Sequence, residues 1–229
     1  MKIVDSVAKA IADWQIGDSE SAMLHACNAV NGTAAKAYKS IDGDRAKFTT
    51  LLRDNYSILG PMGIPGVDLD KTRFGVDLKK NNPKINEFDL ADLIYKIHRC
   101  SHGHGDELLK GFELMPDAAG RHGTTHFSLN LVDGTVRLSD RIIFGMLGVV
   151  VFSPVNAHQK SDYGYFLSYD GVELPINDWW GRASDFLEIA NSRRSPVINI
   201  YEFESDDLTP ARTSGEMHFK MFGQPTLKE

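Results

Sequence analysis

The chain has 229 residues, of which 42% are hydrophobic, so it carries enough apolar side chains for one large core and is not a disordered polymer. Lys and Arg number 25 against 31 Asp and Glu, a formal net charge of −6. That balance excludes a globally basic nucleic-acid surface, so any contact with RNA or DNA must be local or assembled by two subunits. Two cysteines, Cys27 and Cys100, are too few for a disulfide framework.

The first half reads as helices. Ile3, Val4, Val7, Ala8 and Ile11 recur at helical spacing, and Gly17 ends that helix. Asp18 or Ser19 caps a second helix that runs to about Tyr38, with Ala22, Ala26, Ala29, Val30 and Ala34 as a small-residue face for a close neighbour. Phe48, Leu51, Leu52, Asn55, Tyr56 and Leu59 mark a third helix, which Gly60 and Pro61 are expected to stop. A long irregular stretch follows, with a short strand expected near Arg73 to Leu78. The fourth helix starts near Asp89, buries Leu90, Leu93, Ile94 and Ile97, and is broken by Gly103 and Gly105.

Alternating apolar residues from Thr125 to Leu131 and Val136 to Leu138 flank Asp133-Gly134, which predicts a hairpin. Ser139 caps a fifth helix that ends at Ser153-Pro154. Its apolar run, Ile142 to Phe152, is about half the roughly 20 residues of a membrane span, so it reads as a buried helix and no membrane association is expected. A second hairpin is expected at Tyr163 to Leu174 around Asp170-Gly171. Asn177 or Asp178 caps a helix bearing Trp179, Ala183, Phe186, Leu187 and Ala190. Val197 to Phe203 reads as a strand, and the chain from Ser205 as a polar tail. The N-terminus, with Asp5 and Asp13, lacks the apolar core of a signal peptide, so a cytoplasmic protein is expected. The expected fold is mainly α: a helical bundle over 1–156 with β-hairpin insertions, and a mixed α/β extension over 157–229 packed on it.

Chemistry concentrates after the fourth helix. Three of the eight histidines, His98, His102 and His104, fall within seven residues together with Arg99 and Cys100. Histidine exchanges protons near neutral pH, and arginine grips phosphate oxygens in a bidentate way. The pair suits phosphodiester chemistry, with Arg99 holding developing negative charge and His104 moving the proton. Five residues along a helix turn through about 140°, so Arg99 and His104 meet only if the helix ends between them or a second subunit completes the site. His98, Cys100 and His102 are the supporting polar groups. Lys96, Lys79 and Lys80 are candidate contacts for RNA phosphates. Plainer readings stand beside these: Arg99 as a cation favoured near a helix C-terminus, His104 as a solvated loop residue, and the loop lysines as a solvated face. A metal reading uses His98, Cys100, His102, His104 and Asp106, with His122 and His126 as a second ligand pair; its spacing matches no strong zinc pattern. No Walker loop, Gly-x-Ser-x-Gly elbow or His-Glu-x-x-His occurs, which disfavours nucleotide hydrolases, serine hydrolases and zinc proteases.

Arg99-Cys100-Ser101-His102-Gly103-His104 fits R-x-x-x-x-H behind the apolar helix Leu93-Ile94-Tyr95. The helices before it, through Leu24 to Val30, Ala34-Ala35-Lys36, Arg45, and Phe48 to Tyr56, follow in matching order. Over roughly residues 15 to 150 the chain resembles the HEPN superfamily of helical-bundle proteins. The resemblance implies a metal-independent endoribonuclease of a toxin–antitoxin, CRISPR or other defence system, with no cofactor. It implies a homodimer whose arginine and histidine, here Arg99 and His104, form a composite site where the RNA 2′-hydroxyl attacks the adjacent phosphate. Asparagine is the commonest polar residue after the arginine in that family, and Cys100 stands there in this chain. Other HEPN proteins are inactive and bind a protein partner, such as an antitoxin, or a nucleotide.

Overall fold

The structure is a computed structural model that describes residues 2–75, 87–102, 112–116, 128–130 and 135–193. It is mainly α, with eight α-helices and three small sheets among the described residues. The core is centred on α6 (Arg141–Phe152). Ile142, Ile143 and every residue from Gly145 to Phe152 are buried. A helix that is apolar on every side must be enclosed, and the neighbouring helices do this.

α1 (Ile3–Gln15) and α2 (Ser19–Ala37) form an antiparallel pair joined by Gly17, whose φ of 83° suits glycine. Asp18 caps α2 by accepting the Ser21 N–H at 3.0 Å. The small-residue face of α2 is buried as expected, with Ala22, Ala26, Ala29, Val30 and Ala34 fully enclosed. Thr33 on α2 accepts a 2.9 Å hydrogen bond from the Asn156 carboxamide, which also donates to the Val150 carbonyl at 2.9 Å. That bond ties α2 to the end of α6. At the other end of α6, Trp14 of α1 donates its indole N–H to Asp140 at 2.8 Å and meets Phe144 edge-on at 4.8 Å.

The expected third helix is two helices. α3 (Asp44–Asp54) ends at Asn55, whose side-chain N–H donates to the Leu51 carbonyl at 2.8 Å. α4 (Tyr56–Gly63) then runs past Gly60 and contains Pro61 instead of stopping there. Proline removes the donor for the carbonyl four residues back, here Ser57. Ser57 lies on the exposed side of α4, where solvent supplies a donor.

β1 (Phe74–Gly75) pairs antiparallel with β2 (Glu87–Phe88), and α5 spans Leu90–His102. β3 (Phe112–Met115), which periodicity does not reveal, lies parallel to β5 (Thr135–Ser139), and β4 (Ser128–Asn130) lies antiparallel on the other side of β5. The Asp133-Gly134 turn lies outside the described residues. α6 starts one residue later than expected, with Asp140 and not Ser139 at the cap position, while the Ser139 hydroxyl accepts the Arg141 N–H at 3.1 Å from one residue before it.

β6 (Phe166–Tyr169) and β7 (Val172–Pro175) form the second expected hairpin. Asp170 and Gly171 have φ of 47° and 77°, which is the positive pair a type I′ turn requires. The helix expected from Asn177 or Asp178 is broken into α7 (Ile176–Trp179) and α8 (Ala183–Ser192), separated by Gly181 at φ 81°. Asn177 caps neither. Its carboxamide instead clamps Ser161, accepting its N–H at 2.7 Å and donating to its carbonyl at 2.9 Å. Phe186 of α8 stacks on Phe152 at 4.6 Å, so the described part of the C-terminal region shares one hydrophobic core with the bundle. Trp180 is in that core and Trp179 is half-buried against Phe152. The expected strand Val197 to Phe203 and the tail after it lie outside the described residues.

The α4–α6 crossing is closest at two glycines. A Cβ on Gly145 would stand 2.9 Å from both the Gly63 Cα and the Leu59 carbonyl, and neither is a flexible side-chain end. Gly145→Ala should therefore lower stability by about 1–3 kcal/mol in urea denaturation. Gly164→Ala, which meets nothing within 4 Å, should stay within about 0.5 kcal/mol of wild type.

Candidate functional site

The candidate site belongs to α5, whose N-terminus is fixed by residues of α3 and α4. Asp89 precedes the first residue of α5, and its carboxylate accepts the Asp92 N–H at 2.9 Å, the bond expected of an N-cap. Tyr56 supplies a second acceptor, since its hydroxyl receives the Ala91 N–H at 3.0 Å. The exposed donors of the first turn are thus met by one local and one distant side chain.

A charged network holds that cap in place. Arg53 of α3 grips Asp89 through Nε at 2.5 Å and Nη2 at 3.1 Å. The same Nη2 reaches Asp92 at 2.6 Å, and Arg45 reaches Asp92 from outside at 2.8 Å. Burial pushes the Asp89 carboxyl up, but the Arg53 grip and the Asp92 N–H outweigh it, leaving Asp89 below the ordinary carboxylate range. Burial and the adjacent Asp89 charge hold the Tyr56 phenol well above its usual value, so it acts as a neutral hydroxyl.

Leu90, Ala91, Leu93 and Ile94 enter the core. Tyr95 is half-buried and meets Phe48 of α3 at 5.4 Å. Lys96, expected to contact RNA, rests its ammonium over the Phe88 ring at 4.1 Å, a cation–π contact that draws it toward β2.

The backbone of α5 continues as helix through His98, Arg99, Cys100 and His102. The side chains of 97–102 lie outside the described residues, as do Gly103, His104, Asp106, His122, His126, Lys79 and Lys80 in full. Arg99 to His102 therefore share one uninterrupted helix, and the expected break at Gly103 falls beyond it. Among the described residues no group of three or more His, Cys, Asp or Glu converges as a metal site. Also among the described residues, no helix is long and apolar enough to cross a membrane.

The sequence marks the start of α5 near Asp89 but does not reveal the Arg53–Asp89–Asp92–Tyr56 cluster. The available signal was local: an Asp at the cap position and a second Asp three residues later, just before an apolar stripe. The partners in α3 and α4 have no such signature, because they are 36 and 33 residues away in sequence.

The fold and this site define a mainly α protein in which an anchored helix ends in an Arg-, Cys- and His-rich run. The chain belongs to the Rv1289 family, which it matches over residues 2–205. It is 37% identical over 201 residues, covering 87% of this chain and 93% of the relative, to the uncharacterized protein Rv1289 of Mycobacterium tuberculosis strain H37Rv. The same identity and coverage hold for the uncharacterized proteins MT1327 of M. tuberculosis strain CDC 1551 and Mb1320 of Mycobacterium bovis. None of these names states an activity or a HEPN relationship. No solved structure matches the chain.

Asp89→Asn separates the two jobs of Asp89, since asparagine still caps a helix but carries no charge for Arg53. At pH 7 it should lower stability by about 1–2 kcal/mol in urea denaturation. The folded-state pKa of Asp89 lies below its ordinary value, so its stabilisation is complete above about pH 3.9 and is lost as pH falls through the folded value. The gap between wild type and variant should therefore close on acidification and stay open from pH 5 to 7.

Proposed function

We propose that the protein is a HEPN-like, metal-independent endoribonuclease that works as a homodimer through Arg99 and His104. The observation that carries the reading is the anchored helix. The Arg53–Asp89 bridge and the Tyr56 hydroxyl fix the start of α5, and its backbone runs without interruption into the Arg99-x-x-x-x-His104 run. A rigid element is the support that a positioned phosphate-binding arginine needs.

In this reaction the RNA 2′-oxygen attacks the adjacent phosphorus, and the bond to the 5′-oxygen breaks. The products are a 2′,3′-cyclic phosphate and a 5′-hydroxyl. His104 takes the 2′-hydroxyl proton, and the His104 of the second subunit protonates the leaving oxygen. Arg99 stabilises charge on the non-bridging phosphate oxygens. No step uses a metal.

A second reading rests on Cys100 at the position where asparagine is commonest among HEPN proteins, and on the net charge of −6. In it the chain is a non-catalytic module of the same kind that binds a protein partner, an antitoxin among the options, or a nucleotide.

Purified protein incubated with a broad RNA panel in EDTA should yield fragments ending in 2′,3′-cyclic phosphate. Arg99→Ala and His104→Ala should each lower the cleavage rate by at least about 100-fold while remaining folded and dimeric. Intact RNA with folded wild-type protein supports the second reading and rejects the first. A protein that stays monomeric at micromolar concentration rejects the composite site.

A further inference from the structure

The five residues from Ser161 to Tyr165 lead into β6 and are held at both ends by α7. Asn177 brackets Ser161, accepting its N–H at 2.7 Å and donating to its carbonyl at 2.9 Å. The Ile176 N–H donates to the Tyr165 carbonyl at 3.0 Å. Between these anchors the Tyr163 N–H donates to the Ser161 hydroxyl at 3.1 Å. Ser161 is buried, yet Tyr163 is 58% exposed. The Tyr163 ring stacks on Tyr165 with centroids 5.5 Å apart and planes inclined by 17°. Tyr165 is half-buried, so Tyr163 is the outer ring of the pair. With one face against Tyr165, so large an exposure comes from the other face and the ring edge.

We propose that Tyr163 is a stacking platform for a base of single-stranded RNA, a substrate subsite that rests on the ribonuclease reading above. A nucleobase is a flat π-system, and it stacks best on an aromatic face already fixed in direction. The bracket at Ser161 and the Tyr165 ring behind Tyr163 supply that fixed direction. The closed stack argues against a Pro-rich peptide, which docks in a groove between aromatic rings, because rings with centroids 5.5 Å apart leave no groove between them. The exposed ionisable groups beside the platform are Lys160 and His158 against Asp162. With the histidine neutral these balance, so stacking and not phosphate attraction carries the contact. A contact of that kind is open to a chain whose net charge is −6.

Fluorescence anisotropy of the full chain with a short, labelled 2′-O-methyl RNA oligonucleotide tests the proposal. That probe keeps the bases but has no free 2′-hydroxyl, so binding is read without cleavage. Tyr163→Ala should weaken binding by at least about fivefold, and by the same factor at about 50 and about 200 mM salt, because stacking releases no counterions. Tyr163→Trp should bind at least as tightly as wild type, which a purely structural role for the tyrosine would not give. Both variants should keep the wild-type urea midpoint, since the side chain is exposed. Equal binding by wild type and Tyr163→Ala overturns the proposal, and so does an absence of wild-type binding up to about 100 μM protein. If Tyr163→Ala lowers self-association in sedimentation and leaves RNA binding unchanged, the ring belongs to an interface between copies and the proposal is overturned. Wild type that binds through Tyr163 but leaves unmodified RNA intact upholds the platform and rejects the ribonuclease reading.

Discussion

The structure depends on the near-complete burial of α6, in which ten of the eleven residues from Ile142 to Phe152 are buried. A helix whose sequence is Ile-Ile-Phe-Gly-Met-Leu-Gly-Val-Val-Val-Phe has no polar face to leave in water, so every neighbour is constrained to cover part of it. α2 covers it with small residues, and α4 covers it by close approach at Gly63 and Gly145. α8 covers it with Phe186. The polar connections lie at the two ends of α6, where Asp140 takes the Trp14 indole and Asn156 takes Thr33 and Val150. Such bonds contribute little net free energy individually, but leaving either partner buried and unmade would cost more, so they fix which helix goes where.

α5 stands at the side of this arrangement, and its placement depends on charge as well as burial. Its apolar stripe, Leu90, Ala91, Leu93 and Ile94, is buried, but burial is non-directional. Arg53 and Tyr56 add direction at the first turn, Arg53 by gripping Asp89 and Asp92 and Tyr56 by accepting the Ala91 N–H. The proposed chemistry sits at the opposite end of the same helix, so the cap network acts on it only through the rigidity of the α-helical rod.

Several elements were legible in the sequence because their causes are local. Asp18 caps α2, Asp170-Gly171 turns the second hairpin, and the apolar run to Phe152 is a buried helix. The misread elements have non-local causes. Pro61 reads as a helix stop, yet α4 continues through it, because the carbonyl it deprives belongs to exposed Ser57. Asn177 reads as a cap, yet it is engaged by Ser161, sixteen residues earlier. β3 is too short for periodicity and exists through its parallel pairing with β5. Of the candidate site, the residue types and the helix beneath them were legible, while the network that anchors the helix was not.

By itself the sequence determined the mainly α class, the buried central helix, the close-packing face of α2 and the clustering of Arg99, Cys100 and three histidines after an apolar stripe. These follow from spacing and side-chain chemistry within a few turns of chain. Only the tertiary structure decided that α3 and α4 are separate, that the C-terminal hairpin and α8 complete the same core, and that Asp89 is held by Arg53. Those outcomes depend on which distant groups arrive beside one another, and hydrophobic periodicity carries no record of that.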